Sequence, residues 1–236
     1  MTQSLRHALA RRLAWQKRMN DPNLEPRSTL PALGPLRRWQ SNRLHKSFAH
    51  ILANPKMRPA GEFFLTDLYA DKDFSARDRD AAKILPMMAR ILPQSLLQAA
   101  VDTIELAVIS QAFDLAMAQA ISLNKKADID LQHYIEAYRE VGCPRLRRHQ
   151  IALIIRVGKN LDAAVQKHGV YKLLKASRMP ARLAGLQELQ GFLERGFEAF
   201  AQLDGADEFL GMVADSEYEI SERLFAGHKN PFAARN

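Results

Sequence analysis

The feature that most constrains this 236-residue chain is its apolar stretch from Ile91 to Asn124. Proline is tolerated in the first turn of a helix and disturbs its interior, so Pro93 marks a start. A helix from there to Leu123 would be about 45 Å long at roughly 1.5 Å per residue. Leu97, Val101, Ile104, Val108, Ala112 and Leu115 recur at helical spacing and form its spine, and flanking alanines let neighbours approach closely. Asp102, Glu105 and Asp114 interrupt the apolar run, leaving it short of the roughly 20 apolar residues that a membrane span needs. The stretch therefore predicts a central core helix. Carboxylates in such a helix are costly unless met by cations or hydrogen bonds. Glu105 flanks the spine and Asp102 lies further round, so solvent or an arginine from another helix is the expected destination.

The rest of the chain follows the same period, with strand alternation almost absent. Residues 2–19 form a basic helical pattern, and Asp21 to Pro35, with four prolines, reads as a linker. A second helix is expected from about Leu36 to Leu52, closed by Asn54-Pro55. Beyond the central helix the pattern predicts helices at about 129–141, 145–166, 169–177, 181–203 and 206–226, with Gly142-Cys143-Pro144 and Asp204-Gly205 as breaks and Gly227 as a helix end. In the last two, Leu183, Leu186, Leu189, Leu193, Phe197 and Phe200 are expected on one face, opposite Phe209, Val213, Ile220 and Leu224. The fold class is all-α: a single bundle of about eight to ten helices around a long central one. Residues 1–35 form a basic helix and linker, and residues 36–236 the bundle.

Charge is segregated. Residues 1–60 hold twelve Lys/Arg against Asp21 and Glu25, a balance of +10, while the remaining residues hold twenty-two against twenty-four, a balance of −2. Such an arm can meet an acidic protein, nucleic acid or an anionic membrane, or lie over its own chain. Arg11, Arg12, Lys17, Arg18, Arg37 and Arg38 are the candidate contacts. Trp15 and Trp39 among these arginines could stack on bases, although both occupy positions expected to face the core. The arginines spread through residues 1–19 do not suit a secretory leader, and a lone cysteine, Cys143, forms no internal disulfide. A cytoplasmic protein is expected.

The densest segment is Gly61 to Asp80, GEFFLTDLYADKDFSARDRD. Phe64 and Leu68, and Leu65 and Tyr69, are four apart, and with Phe63 they make a surface wider than an amphipathic stripe. A short helix buried on most sides is expected, with Asp67 near its end able to remain solvated. Asp71, Asp73, Asp78 and Asp80 do not form a calcium loop, since Ala76 and Ala82 stand where glycine and glutamate are required. Asp73 or Ser75 instead caps a following helix, with Asp78 and Asp80 in its first turn. Phe63-Phe64-Leu65-Thr66-Asp67-Leu68-Tyr69 resembles the signature of a bacterial family named for the motif FFLEELY, Thr66 and Asp67 standing in place of its two glutamates. Arg77-Asp78, Leu92-Pro93, Leu186 to Leu210 and Arg223 to Gly227 extend the resemblance over most of residues 36–227. The resemblance implies no particular activity, and the loss of both glutamates weighs against catalysis at those positions.

Other chemistry is sparse. No Glu-x-x-His pair of a bundle metal site occurs; Asp130-Leu-Gln-His133 is a single Asp-x-x-His, and Asp128 or Asp130 reads as a cap. Neither a phosphate loop nor a dinucleotide fingerprint is present. No cofactor and no metal are expected. His149, beside the apolar face of its helix and among Arg145, Arg147 and Arg148, suits an anion site or a base, but more often such a residue is a satisfied core histidine. Two functions remain. One is a non-catalytic adaptor whose basic N-terminal segment engages an acidic partner of unknown identity. The other is a ligand carrier or enzyme with a pocket between the central helix and the FFLTDLY helix, using Tyr69, Arg77, Asp78 and His149. The balance is against an enzyme.

Overall fold

The computed structural model describes residues 2–68, 80–85, 94–123 and 129–233. Tyr69, Arg77 and Asp78, together with the capping expected at Asp73 or Ser75, lie outside the described residues. Among those described, all regular structure is helical, residues 80–85 included, and there is no strand. Its helices are α1 (Thr2–Met19), α2 (Leu33–Ser47), α3 (Ala49–Ala53), α4 (Arg58–Phe63), α5 (Gln94–Leu123), α6 (Leu131–Val141), α7 (Pro144–Val165), α8 (Val170–Ala176), α9 (Arg178–Leu183), α10 (Gln187–Phe200) and α11 (Asp207–Phe225). A 3-10 turn, Pro26–Thr29, and a π turn, Phe64–Leu68, follow α1 and α4.

Every major part of the core touches α5. Its first half, Leu97, Val101, Ile104 and Val108, packs with Leu9 and Leu13 of α1. Leu106, Ile109 and Phe113 join Phe48, Ile51, Phe63, Phe64 and Leu65 from α3, α4 and their flanks, Leu153 of α7, and Phe200, Phe209 and Val213. Its last turns, with Leu115, Met117 and Ile121, pack with Leu33 and Leu36 of α2, Tyr134 and Tyr138 of α6, and Ile220 and Leu224 of α11. A helix that is apolar all round needs this enclosure. The portion Leu97–Ser122 is long and apolar enough to cross a membrane, but half of that window is buried inside the protein. It is a core helix that packs with α1, α2, α6, α7 and α11 and keeps Gln98 and Gln119 exposed.

Helix ends follow local chemistry. The Asp130 carboxylate accepts the His133 amide at 2.9 Å and caps α6. Gly142 and Cys143, at φ +66° and +60°, reverse the chain, and Pro144 opens α7. The continuous helix expected over 181–203 is instead two. Gly185 adopts φ +68°, and the Leu186 amide reaches back to the Ala181 carbonyl at 2.8 Å, the six-to-one bond that closes a helix on a left-handed glycine. The break turns α9 away from the core and leaves Leu183 84% exposed; on α10 Leu193 is 43% exposed, whereas Phe197 and Phe200 are buried, as is Leu186. Likewise α2 and α3 are separated at Phe48, short of one helix to Leu52.

Two close contacts fix the outer helices. A methyl group on Gly158 of α7 would stand 2.4 Å from a Leu210 methyl of α11, and one on Gly196 of α10 would stand 2.7 Å from Phe63 Cζ. Gly211, by contrast, has open space around it. Gly196→Val should therefore lower unfolding stability by about 1–3 kcal/mol through overpacking against Phe63. Gly211→Ala should raise it by about 0.5–1 kcal/mol through helix propensity alone. Urea denaturation of the two variants checks both signs.

Candidate functional site

The three carboxylates of α5 each meet a cation from another helix. Glu105 receives Arg12 of α1 on one oxygen and His149 Nε2 of α7, at 2.9 Å, on the other. Asp102 is buried, takes Arg156 of α7 at 3.2–3.3 Å and accepts the Gln98 amide at 2.9 Å. Asp114 is bound by Arg37 of α2 at 3.2 Å, and Arg37 also donates to Gln111 at 2.5 Å. Asp102 and Glu105 are three apart and both reach α7, Glu105 meeting α1 as well, whereas Asp114, nine further on, falls on the face turned to α2. Residues 102 and 105 therefore line a polar seam where α1, α5 and α7 meet, continued by the Gln150–Ser110 hydrogen bond at 2.8 Å.

The electrostatics follow from this geometry. Burial alone would push Glu105 up, but hydrogen bonds from His149 and Arg12 hold its carboxyl below the usual carboxylate range. At Asp114 burial prevails over Arg37, Gln40 and Arg147, and its carboxyl is raised. Next to it is a buried cation with little polar company. Arg147 is 7% exposed; its guanidinium lies 3.5 Å from the Phe113 ring centre and 4.3 Å from that of Tyr138, and it donates to Met117 Sδ at 3.2 Å. Burial pulls its pKa down. Arg43 of α2 is clamped by Glu217 of α11; burial opposes its charge, but Glu217 and the Tyr134 hydroxyl outweigh it and raise its pKa. The Tyr138 hydroxyl and Ser221 Oγ lie 2.8 Å apart.

The candidate partner contacts divide into two sets. Arg12 and Arg37 are engaged with Glu105 and Asp114. Arg11, Lys17, Arg18 and Arg38 are exposed. Trp39 stacks on Tyr134 with ring centres 4.0 Å apart. Trp15 differs from the core-facing position expected of it and is 60% exposed. The buried residues of α1 are Leu9, Leu13 and Gln16, a single stripe at helical spacing. Residues 11, 15 and 18 fall on the opposite side, so Trp15 stands between two exposed arginines.

His149 is brought to Glu105 and not to an open anion site. Asp67 also departs from expectation. It is 8% exposed and accepts Arg195 Nε and Nη2 of α10 at 2.8 and 2.6 Å, as well as the Thr66 hydroxyl at 2.9 Å. Asp67 lies in the π turn at Phe64–Leu68, from which its carboxylate reaches α10. Sequence reasoning missed the roles of Arg147, Arg43 and Arg195, whose hydrogen-bond partners Met117, Glu217 and Asp67 are 30 or more residues away. Among the described residues no group of three His, Cys, Asp or Glu side chains is arranged to hold a metal ion.

Glu105 is the group whose loss should be felt by two helices. A double-mutant cycle of Arg12→Ala and Glu105→Ala, followed by chemical denaturation, should give a coupling of about 1 kcal/mol for this partly buried pair. Its folded pKa is depressed, so its contribution is present above its ordinary value of 4.5 and is lost as pH falls through the lower folded value. The stability gap between the parent and Glu105→Gln should therefore narrow on acidification. A gap that is constant or widens would show that the pairing does not stabilise the fold.

No curated protein matches this chain, and no solved structure does either. A family model described as a domain of unknown function (DUF8198) matches residues 15–231, from the last turn of α1 through α11, and the chain belongs to that family.

Proposed function

We propose that this chain is a non-catalytic binding module, acting in the cytoplasm, that engages an acidic protein through the outer face of α1. The observation that carries this reading is Trp15, 60% exposed with Arg11 four residues before it and Arg18 three residues after. Tryptophan and arginine are the side chains most enriched at binding hot spots, where an aromatic anchor is desolvated and flanking cations select an acidic surface. The remainder of α1 supports the same role. Leu9 and Leu13 seat the helix on α5 and Arg12 ties it to Glu105, so the face is presented in a fixed register and little ordering entropy remains to be lost on binding.

The FFLTDLY segment is read as a packing element. Phe63, Phe64 and Leu65 share one apolar cluster with Leu106, Ile109 and Phe113 of α5. Side chains from both sides thus occupy the described part of the boundary where a ligand pocket was expected, which favours the binding module over the carrier. The resemblance of this segment to the FFLEELY signature is accounted for in the same way, by aromatic packing and by the link from Asp67 to Arg195.

The test is affinity capture from the source organism with the full chain and with an Arg11→Glu, Trp15→Ala, Arg18→Glu variant. The parent should retain a protein of acidic isoelectric point, and added salt should weaken the capture. The variant should lose that protein at an unchanged melting temperature, because none of the three side chains is buried. Equal capture by both proteins would contradict the proposal.

A further inference from the structure

The helical pair α8–α9 has no buried residue at all. It is nevertheless fastened in place. The Tyr171 ring stacks on Phe197 at 5.1 Å and its hydroxyl donates to Glu198 at 2.6 Å. The Ser177 hydroxyl donates to Gln190 at 3.1 Å, and Arg178 grips Glu194 through two hydrogen bonds of 2.5 and 2.7 Å. That grip holds the Glu194 carboxyl down at about 2. All of these ties run to α10. What they leave facing outward is apolar: Leu173 is 72% exposed, Met179 62% and Leu183 84%. Met179 and Leu183 are four apart and share one face of α9.

The charge carried by the segment itself has one sign, the acids against it being Glu194 and Glu198 of α10, which are taken up by Arg178 and Tyr171. Residues 163–187 contain Lys167, Lys172, Lys175, Arg178 and Arg182, and no acidic residue. Lys175 lies over the Tyr171 ring at 4.2 Å and Arg178 is held by Glu194, which leaves Lys167, Lys172 and Arg182 exposed beside the three apolar side chains. We propose that α8–α9 is a membrane-docking tip, which sets Leu173, Met179 and Leu183 into the boundary layer of an anionic bilayer while Lys167, Lys172 and Arg182 meet its headgroups.

Two properties of the tip choose this occupant. Long aliphatic side chains beside cations, with no acid among them, are the composition of helices that lie in the interface of a bilayer with an anionic surface. An aliphatic set with its one aromatic, Tyr171, already stacked on Phe197 has nothing to stack on nucleic acid bases. The tip lies on helices other than α1, so substitutions in one surface leave the side chains of the other in place.

Sedimentation of the full chain with vesicles tests the proposal, using phosphatidylcholine alone and a phosphatidylcholine–phosphatidylglycerol mixture. The parent should sediment with the mixed vesicles and not with the neutral ones, and salt should weaken the binding. A Leu173→Ser, Met179→Ser, Leu183→Ser variant should bind at least about tenfold more weakly, and so should Lys172→Glu, Arg182→Glu. Both alter only exposed positions, and circular dichroism verifies that the fold is kept. The Arg11→Glu, Trp15→Ala, Arg18→Glu variant should bind vesicles like the parent. Absence of binding to the mixed vesicles overturns the proposal. So does binding that survives in both tip variants, or binding that only the α1 variant loses. A parent that ignores vesicles but dimerises through the tip would assign this face to a second copy instead.

Discussion

The fold depends on matching three carboxylates of the central helix with cations from the helices packed on it. An unpaired carboxylate inside a protein is expensive, and removing one partner of a buried pair costs more than the pair gains. Asp102, Glu105 and Asp114 therefore dictate what each neighbour of α5 must bring: Arg156 and His149 from α7, Arg12 from α1, and Arg37 from α2. Apolar burial drives the helices onto α5, and the ion pairs fix how each is rotated. The basic surplus of the first sixty residues is partly explained by this demand, since Arg12 and Arg37 answer acids on α5.

Much of the architecture was legible in the chain. The central helix could be placed from the spacing of Leu97, Val101, Ile104 and Val108, and the chemistry at Gly142 to Pro144 and Gly227 placed the breaks. Signals that act within a few residues are readable because local geometry alone decides them. The failures are non-local. Asp67 looks solvated until Arg195, 128 residues further on, is brought beside it. Gly185 reads as one more small residue in a leucine-rich helix, because nothing nearby states that its φ will be positive. The core position expected of Trp15 follows the general tendency of tryptophan to be largely buried, and only the actual stripe of Leu9, Leu13 and Gln16 shows that it lies on the other side.

The candidate site was legible in kind but not in membership. Six basic residues were singled out from charge alone, and charge cannot distinguish a cation that completes a core ion pair from one that meets a partner. Packing separates them: Arg12 and Arg37 turn inward, and Arg11 and Arg18 turn outward around an aromatic side chain that the sequence had assigned to the core. His149 shows the converse. Its arginine-rich neighbourhood suggested an anion site, yet Arg147 turns inward beneath Phe113 and Tyr138, and the imidazole meets Glu105.

The central claim is that α1 is a docked element of the bundle, presenting one fixed face, and not a free basic arm. Amide hydrogen exchange across α1 tests it most directly. The account predicts protection of residues 9–16 comparable to that of the first turns of α5, because the two helices share Leu9, Leu13, Leu97 and Val101 in one cluster. Exchange of these amides at the rate of an unstructured chain would contradict it, since α1 would then hold no fixed register and the surface centred on Trp15 would not exist.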